Sequence, residues 1–151
     1  MLIFTDGGCS GNPGPGGWAF IIVKPDHSGS DGTIIEETWG AEKNTTNNRM
    51  ELLAVINGLE AISAYWSEGE IKVFTDSQYV QKGMTVWIRD WKARNWKTAG
   101  KASVKNQDLW QRLDSLAGEL PVSWHWVKGH AGNIYNERCD SLTQKAIAFN
   151  K

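Results

Sequence analysis

Leu2-Ile-Phe-Thr-Asp6-Gly7 and Glu70-Ile-Lys-Val-Phe-Thr-Asp76-Ser77 end on one pattern, an aliphatic residue followed by Phe-Thr-Asp and then a small residue. Each has the β-branched and aromatic content of a strand. Each places a carboxylate at the C-terminal end of that strand, the edge at which ligands collect in open α/β sheets. Two such aspartates brought together would resist burial without a cation, because like charges at short range cannot both stay ionised cheaply. Either one alone reads equally well as a residue that ends a strand and caps a turn. The matched pair is harder to explain that way.

Outward from the first of these strands, the glycine-rich run Gly7 to Gly17 is expected to end it. Trp18 to Val23 and Thr33 to Trp39 read as two further strands, joined by the polar loop Asp26 to Gly32, in which His27 is a solvated surface residue. Thr45-Thr-Asn-Asn48 then opens a helix whose Leu52, Val55, Ile56, Leu59 and Ile62 share one face. After the strand Glu70 to Asp76 comes a short helical stretch, Ser77 to Lys82. A basic segment follows, expected as a helix broken near Gly100, and then a helix over Asn106 to Leu116 carrying Leu109, Leu113 and Leu116. Pro121 to Val127 alternates as a strand, and Asn136 to Phe149 forms a last helix. The order β-β-β-α-β-α-α-α-β-α predicts an α/β fold. Three leading strands with short connections form an antiparallel meander, and two later strands following helices add in parallel to the same five-stranded mixed sheet. No repeat, linker or second domain interrupts residues 1–151.

Length and composition fit that architecture. The 151 residues suffice for one domain with its own core, and 40% hydrophobic with 22% charged residues is ordinary for a globular protein. No apolar run approaches the ~20 residues of a membrane span. Met1 to Asp6 has neither the basic start nor the long apolar stretch of a signal peptide, so a cytoplasmic location is expected. Cys9 and Cys139 offer neither a disulfide framework nor a zinc-ligand spacing, although the two could still meet in space. The net charge of −1 conceals an asymmetry. Between Lys82 and Lys105 seven basic residues accompany a single acid, Asp90, making that segment +6 and the rest of the chain −7. Local charge decides where a polyanion lands.

Other candidate residues have simple structural explanations when taken singly. Glu51 falls in the first turn of the long helix, and Asp140 one turn into the last; a helix dipole favours acids at both places. His130 stands in Gly129-His-Ala-Gly132, a glycine-flanked loop suited to a histidine that titrates near neutrality. His125, between Trp124 and Trp126, reads as structural. Trp87 and Trp91 are one helical turn apart, so their ring side is expected to pack inward, with lysine and arginine outward.

Taken together, the runs Phe4-Thr-Asp-Gly-Gly-Cys-Ser-Gly-Asn-Pro-Gly-Pro-Gly-Gly17, Thr45-Thr-Asn-Asn-Arg-Met-Glu51, Thr75-Asp-Ser-Gln-Tyr-Val80, Val127-Lys-Gly-His-Ala-Gly132 and Asn136-Glu-Arg-Cys-Asp140 closely resemble bacterial type 1 ribonuclease H. Trp87-Ile-Arg-Asp-Trp-Lys-Ala-Arg-Asn-Trp-Lys-Thr98 is similar to that family's basic helical protrusion. The resemblance spans essentially the whole chain in the family's order. One departure is Asn133-Ile-Tyr135, where many bacterial members carry a proline.

The resemblance implies an RNase H-like fold and an endonuclease that hydrolyses the RNA strand of an RNA/DNA hybrid. Asp6, Glu51, Asp76 and Asp140 match its metal-binding carboxylates, and His130 its histidine assisting proton transfer or product departure. Asn12, Asn47, Asn48, Gln78 and the backbone near Gly7 match positions that read the hybrid's minor groove. Thr46 and Asn12 fall where the family grips a phosphate of the DNA strand. Trp87, Lys92, Arg94, Trp96 and Lys97 belong to the protrusion that would hold the other strand. The implied cofactor is Mg2+, two ions about 4 Å apart when substrate is bound, with Mn2+ able to substitute. The implied products carry 5′-phosphate and 3′-hydroxyl ends, and cleavage is largely sequence-independent because phosphate contacts carry no base information. A monomer is expected. The competing readings are an integrase- or resolvase-like nuclease acting on DNA and a catalytically silent nucleic-acid-binding module. The Gly11–Gly17 turn with the basic segment argues against the first, and the presence of all four acids against the second.

Overall fold

The computed structural model describes residues 1–26, 32–128 and 133–150. The leading strands are β1 (Leu2–Cys9), β2 (Gly14–Pro25) and β3 (Gly32–Thr45), followed by helix α1 (Asn47–Ile62) and strand β4 (Ile71–Thr75). A helical arm comes next: α2 (Gln78–Lys82), a π-helical turn (Gly83–Trp87) and α3 (Ile88–Ala93). Helix α4 (Gln107–Gly118), strand β5 (Val122–Trp126) and helix α5 (Ile134–Phe149) complete the chain. The sheet order is β3-β2-β1-β4-β5. β1 pairs antiparallel with β2 and β2 with β3, while β4 lies parallel to both β1 and β5. The mixed five-stranded sheet is the one expected.

Side-chain alternation along the central strands divides the core between the two faces of the sheet. Ile3, Phe20, Ile22 and Val73 pack with Leu52, Val55, Ile56, Leu59 and Ile62 of α1, and with Trp110 and Leu113 of α4. Phe4, Ala19, Ile21 and Val23 face the other way, with Cys139 of α5. The Cys139 thiol lies 3.3 Å from the Ala19 carbonyl oxygen, and Cys9 faces the carbonyls of Gly11, Gly14 and Thr45; both are free thiols.

Several boundaries differ from the sequence expectation, each for a local reason. β1 does not stop at Asp6 but runs through Gly7 and Gly8 to Cys9, paired with Trp18, Gly17 and Gly16. Here glycine permits close approach of a helix: a Cβ on Gly7 would lie 2.4 Å from the Met50 carbonyl carbon. β2 and β3 are likewise longer than expected. The arm ends at Ala93, well before Gly100, because Asn95 and Trp96 take left-handed backbone angles, φ 55° and 63°. α5 begins at Ile134, where the Asn133 side chain caps the amides of Tyr135 and Asn136. That start puts Asp140 deeper into its helix than one turn. Glu51 also lies beyond the first turn of α1, which contains no acid. The helix dipole therefore does not account for it.

The arm's aromatic rings point inward, as expected. Trp91 lies 5.2 Å from Trp110 and 5.8 Å from Trp87 between ring centroids, and Trp91 and Trp96 pack on the core. Gly83 leaves room for Trp110, whose ring would stand 2.0 Å from a Cβ at that position. His125 is packed too, stacked on Phe74 with its Nε2 2.9 Å from the Ser123 hydroxyl.

Candidate metal centre

β1 and β4 are adjacent and parallel, with Thr5 level with Thr75, so the aspartates that follow emerge side by side at one sheet edge. α1 crosses this edge over Gly7 and brings Glu51 down onto it. The result is a group in which one carboxylate oxygen from each of Asp6, Glu51 and Asp76 lies within 4.8 Å of the others. Asp6 and Glu51 are buried, at 6% and 8% exposure, and Asp76 is half-buried.

The electrostatic consequence is large. Burial first, and then the charges of Asp76 and Asp140, push the Asp6 carboxyl up to about 8 from an ordinary 3.8. Hydrogen bonds from Thr143 and the Gly7 amide oppose the rise. The Thr143 hydroxyl also faces the Cys139 carbonyl at 3.1 Å, and its single proton can turn to either partner. Glu51 is raised well above its usual range by burial and by the charges of Asp6 and Asp76. The Cys139 thiol behind the group is raised as well, by burial first and then by the carboxylates.

These residues fit a hard divalent cation. The donors are all carboxylate oxygens, as magnesium prefers. Glu51 Oε2 is fully buried and has no hydrogen-bond partner, an arrangement that costs about 1–3 kcal/mol or more unless a ligand completes it. Asp140, half-buried on α5, stands outside the 4.8 Å group but close enough for its charge to act on Asp6. His130 lies outside the described residues.

The predicted contact residues fall in two sets, one at the starts of α1 and α2 and one along the basic segment. Thr46 is the N-cap of α1, its hydroxyl accepting from the Arg49 amide at 3.3 Å. Asn12, which precedes a cis proline peptide, accepts from the Asn47 amide at 3.1 Å and so ties the β1–β2 turn to the same helix start. Asn47 and Asn48 are exposed there, and Gln78 is exposed at the start of α2. On the arm and in the segment just after it, Lys92, Arg94 and Lys97 are exposed, whereas Trp87 and Trp96 are half-buried. Lys92 already has a partner, Asp114, at 3.2 Å.

Two neighbours of the carboxylates escaped the sequence reading. Thr143 is one helical turn beyond Asp140, so the i, i+3 spacing carried a usable signal. Trp126, whose indole N–H donates to the Asp76 carbonyl at 3.1 Å, carried none, because the contact depends on strand register.

A mixed sheet with three carboxylates gathered where its adjacent parallel strands β1 and β4 end places the chain among α/β proteins with a candidate cation site at that edge. The comparisons narrow the class. The RNase H family model matches residues 1–148. A Ribonuclease H of Aromatoleum aromaticum is 54% identical over 145 residues, covering 96% of this chain and 88% of that one. A Ribonuclease H of Treponema denticola is 55% identical, covering 95% and 94%. Among solved structures, LC9-RNase H1, described as a type 1 RNase H with the type 2 active-site motif, superposes with a TM-score of 0.85 at 34% identity, covering 99% of this chain and 72% of that one. The chain belongs to the ribonuclease H family and is an enzyme of that kind.

Proposed function

We propose that residues 1–151 form one catalytic domain that cleaves the RNA strand of RNA/DNA hybrids at the Asp6–Glu51–Asp76 edge, with Asp140 as fourth carboxylate. The observation that carries this reading is the convergence of three carboxylate oxygens within 4.8 Å, two of their residues buried. Membership of the family supports it further. The cofactor is magnesium, two ions with substrate and replaceable by manganese. When bound, it supplies Lewis-acid stabilisation of the attacking and departing oxygens, the route to 5′-phosphate and 3′-hydroxyl ends.

The chain's own residues hold, orient and exclude. Asp6 and Glu51, held in a low-dielectric edge, attract a divalent cation more strongly than exposed acids would. Asn47, Asn48 and Gln78 offer amide donors and acceptors to ribose 2′-hydroxyls, the group that distinguishes RNA from DNA. Asn12 uses its carbonyl on the Asn47 amide, which leaves its NH2 group to donate. Thr46 at the start of α1 takes a phosphate of the DNA strand, where helix amides favour anions. Lys92, Arg94 and Lys97 attract phosphates further along, with Trp87 and Trp96 as the rigid base of the arm. His130 receives or returns a proton. Phosphate contacts dominate this arrangement, so cleavage is largely sequence-independent. The active form is a monomer in the cytoplasm. No helix among the described residues is long and apolar enough to cross a membrane.

The test is cleavage of labelled RNA/DNA hybrid, double-stranded RNA, single-stranded RNA and duplex DNA, with and without magnesium. The expected result is magnesium-dependent cleavage of the hybrid alone, lost in Asp6→Asn while circular dichroism stays native. Undiminished cleavage by Asp6→Asn would remove Asp6 from the site.

A further inference from the structure

Among the described residues Trp126 is one of five large apolar side chains left exposed, at 44%, on a strand whose neighbouring rings are packed. It belongs to β5, level with Thr75 of β4, and its indole N–H donates to the Asp76 carbonyl at 3.1 Å. The backbone on either side of Asp76 is held as well. The Val127 amide donates to the Thr75 carbonyl at 2.9 Å, and the Ser77 amide donates to the Thr75 hydroxyl at 3.0 Å. Ser77 in turn caps α2 through the Val80 amide. Asp76 therefore sits in a turn fixed before it, at its own carbonyl and after it. Of these three anchors only the middle one is a long side chain reaching across from another strand.

Without the Trp126 bond the peptide plane after Asp76 loses its anchor, and relaxation of the turn there displaces the Asp76 Cα from which the side chain extends. The carboxylate that must meet Asp6 and Glu51 within 4.8 Å would move with it. From this geometry we infer that Trp126 is a positioning residue for the metal centre, acting through its indole N–H on the Asp76 backbone. This inference rests on the cation reading proposed above. It gives a role to a tryptophan at a half-exposed edge where a smaller residue would expose less apolar surface.

The test measures magnesium binding by calorimetry without nucleic acid, alongside steady-state hybrid cleavage. Trp126→Phe keeps a ring and loses the donor. Its magnesium affinity should fall about 10-fold, the lower end for groups that orient metal ligands, with kcat reduced and KM for hybrid unchanged. Trp126→His, whose Nε2 falls where the indole Nε1 stood, should recover most of the affinity. Trp66→Phe, which removes an indole bond to Gly69 O far from the carboxylates, should bind magnesium normally. In the unmodified protein, the Trp126 indole N–H resonance should shift on magnesium addition while that of Trp66 stays, a readout that survives even if Trp126→Phe does not fold. Normal affinity in Trp126→Phe, an unmoved Trp126 resonance, or a change confined to KM would overturn the inference. A wild-type chain that takes up no magnesium would overturn the cation reading itself.

Discussion

Asp6 shows how one carboxylate links stability to function. Its folded pKa of about 8 lies above the ordinary 3.8, so between those values the folded protein holds a proton that the unfolded chain has released. The penalty is absent at low pH, grows as pH rises from about 4, and is complete above about 8; Glu51 acts in the same direction. In chelator, the melting temperature should therefore decline between pH 5 and pH 8 by more in the wild type than in Asp6→Asn. That variant should be more stable than wild type by about 1–3 kcal/mol at pH 7.5 without metal. Magnesium should restore the wild type and do little for the variant. Thermal melts across pH with and without magnesium check all three. At this scale the sequence spoke unevenly. Asp6 and Asp76 were visible as matched strand ends. Glu51 and Asp140 looked like ordinary helical acids and came into view only through the pattern of the whole chain, because their neighbours are set by packing.

Elements bring those residues together, and the contact of β1 with α1 is the most demanding. Gly7→Ala would place a Cβ 2.4–2.6 Å from the backbone of Met50 and Glu51, which no rotamer change can relieve. The helix must lift, at a cost of about 3 kcal/mol or more, and Glu51 moves with it. A lowered urea midpoint together with weakened magnesium binding would show this; an unchanged affinity would mean that α1 does not set the Glu51 position. The glycine that the sequence suggested as a strand terminator is thus the place where the helix rests. Strand identities and the periodic face of α1 were legible because each answers to a local pattern. The ends of β1, the arm and α5 were not, since they follow from a close approach, from left-handed residues and from an asparagine cap.

For the molecule as a whole, the asymmetry between the +6 segment and the −7 remainder should govern association with a polyanion. Neutralising Lys92, Arg94 and Lys97 together should weaken hybrid binding at low salt and reduce the slope of log affinity against log salt by about 2–3. Lys92 should contribute least, because Asp114 already pairs with it. An unchanged slope would place the phosphate contacts elsewhere on the surface. Three antiparallel strands joined by two parallel ones could be anticipated from the succession of elements, whereas this pairing across α3 and α4 could not.

The central position of β1 has a further consequence for synthesis. β1, translated ahead of its partners, pairs on one side with β2, at once available, and on the other with β4, some seventy residues later. Its second face stays bare until α5 leaves the ribosome and Cys139 comes to rest against Phe4 and Ala19. A nascent chain thus carries Asp6, Glu51 and Asp76 long before it has a floor to set them on. Nuclease activity should appear only once α5 is clear of the ribosome. Ribosome-stalled chains ending before Ile134 should be protease-sensitive and inactive, and those that expose α5 fully should be neither.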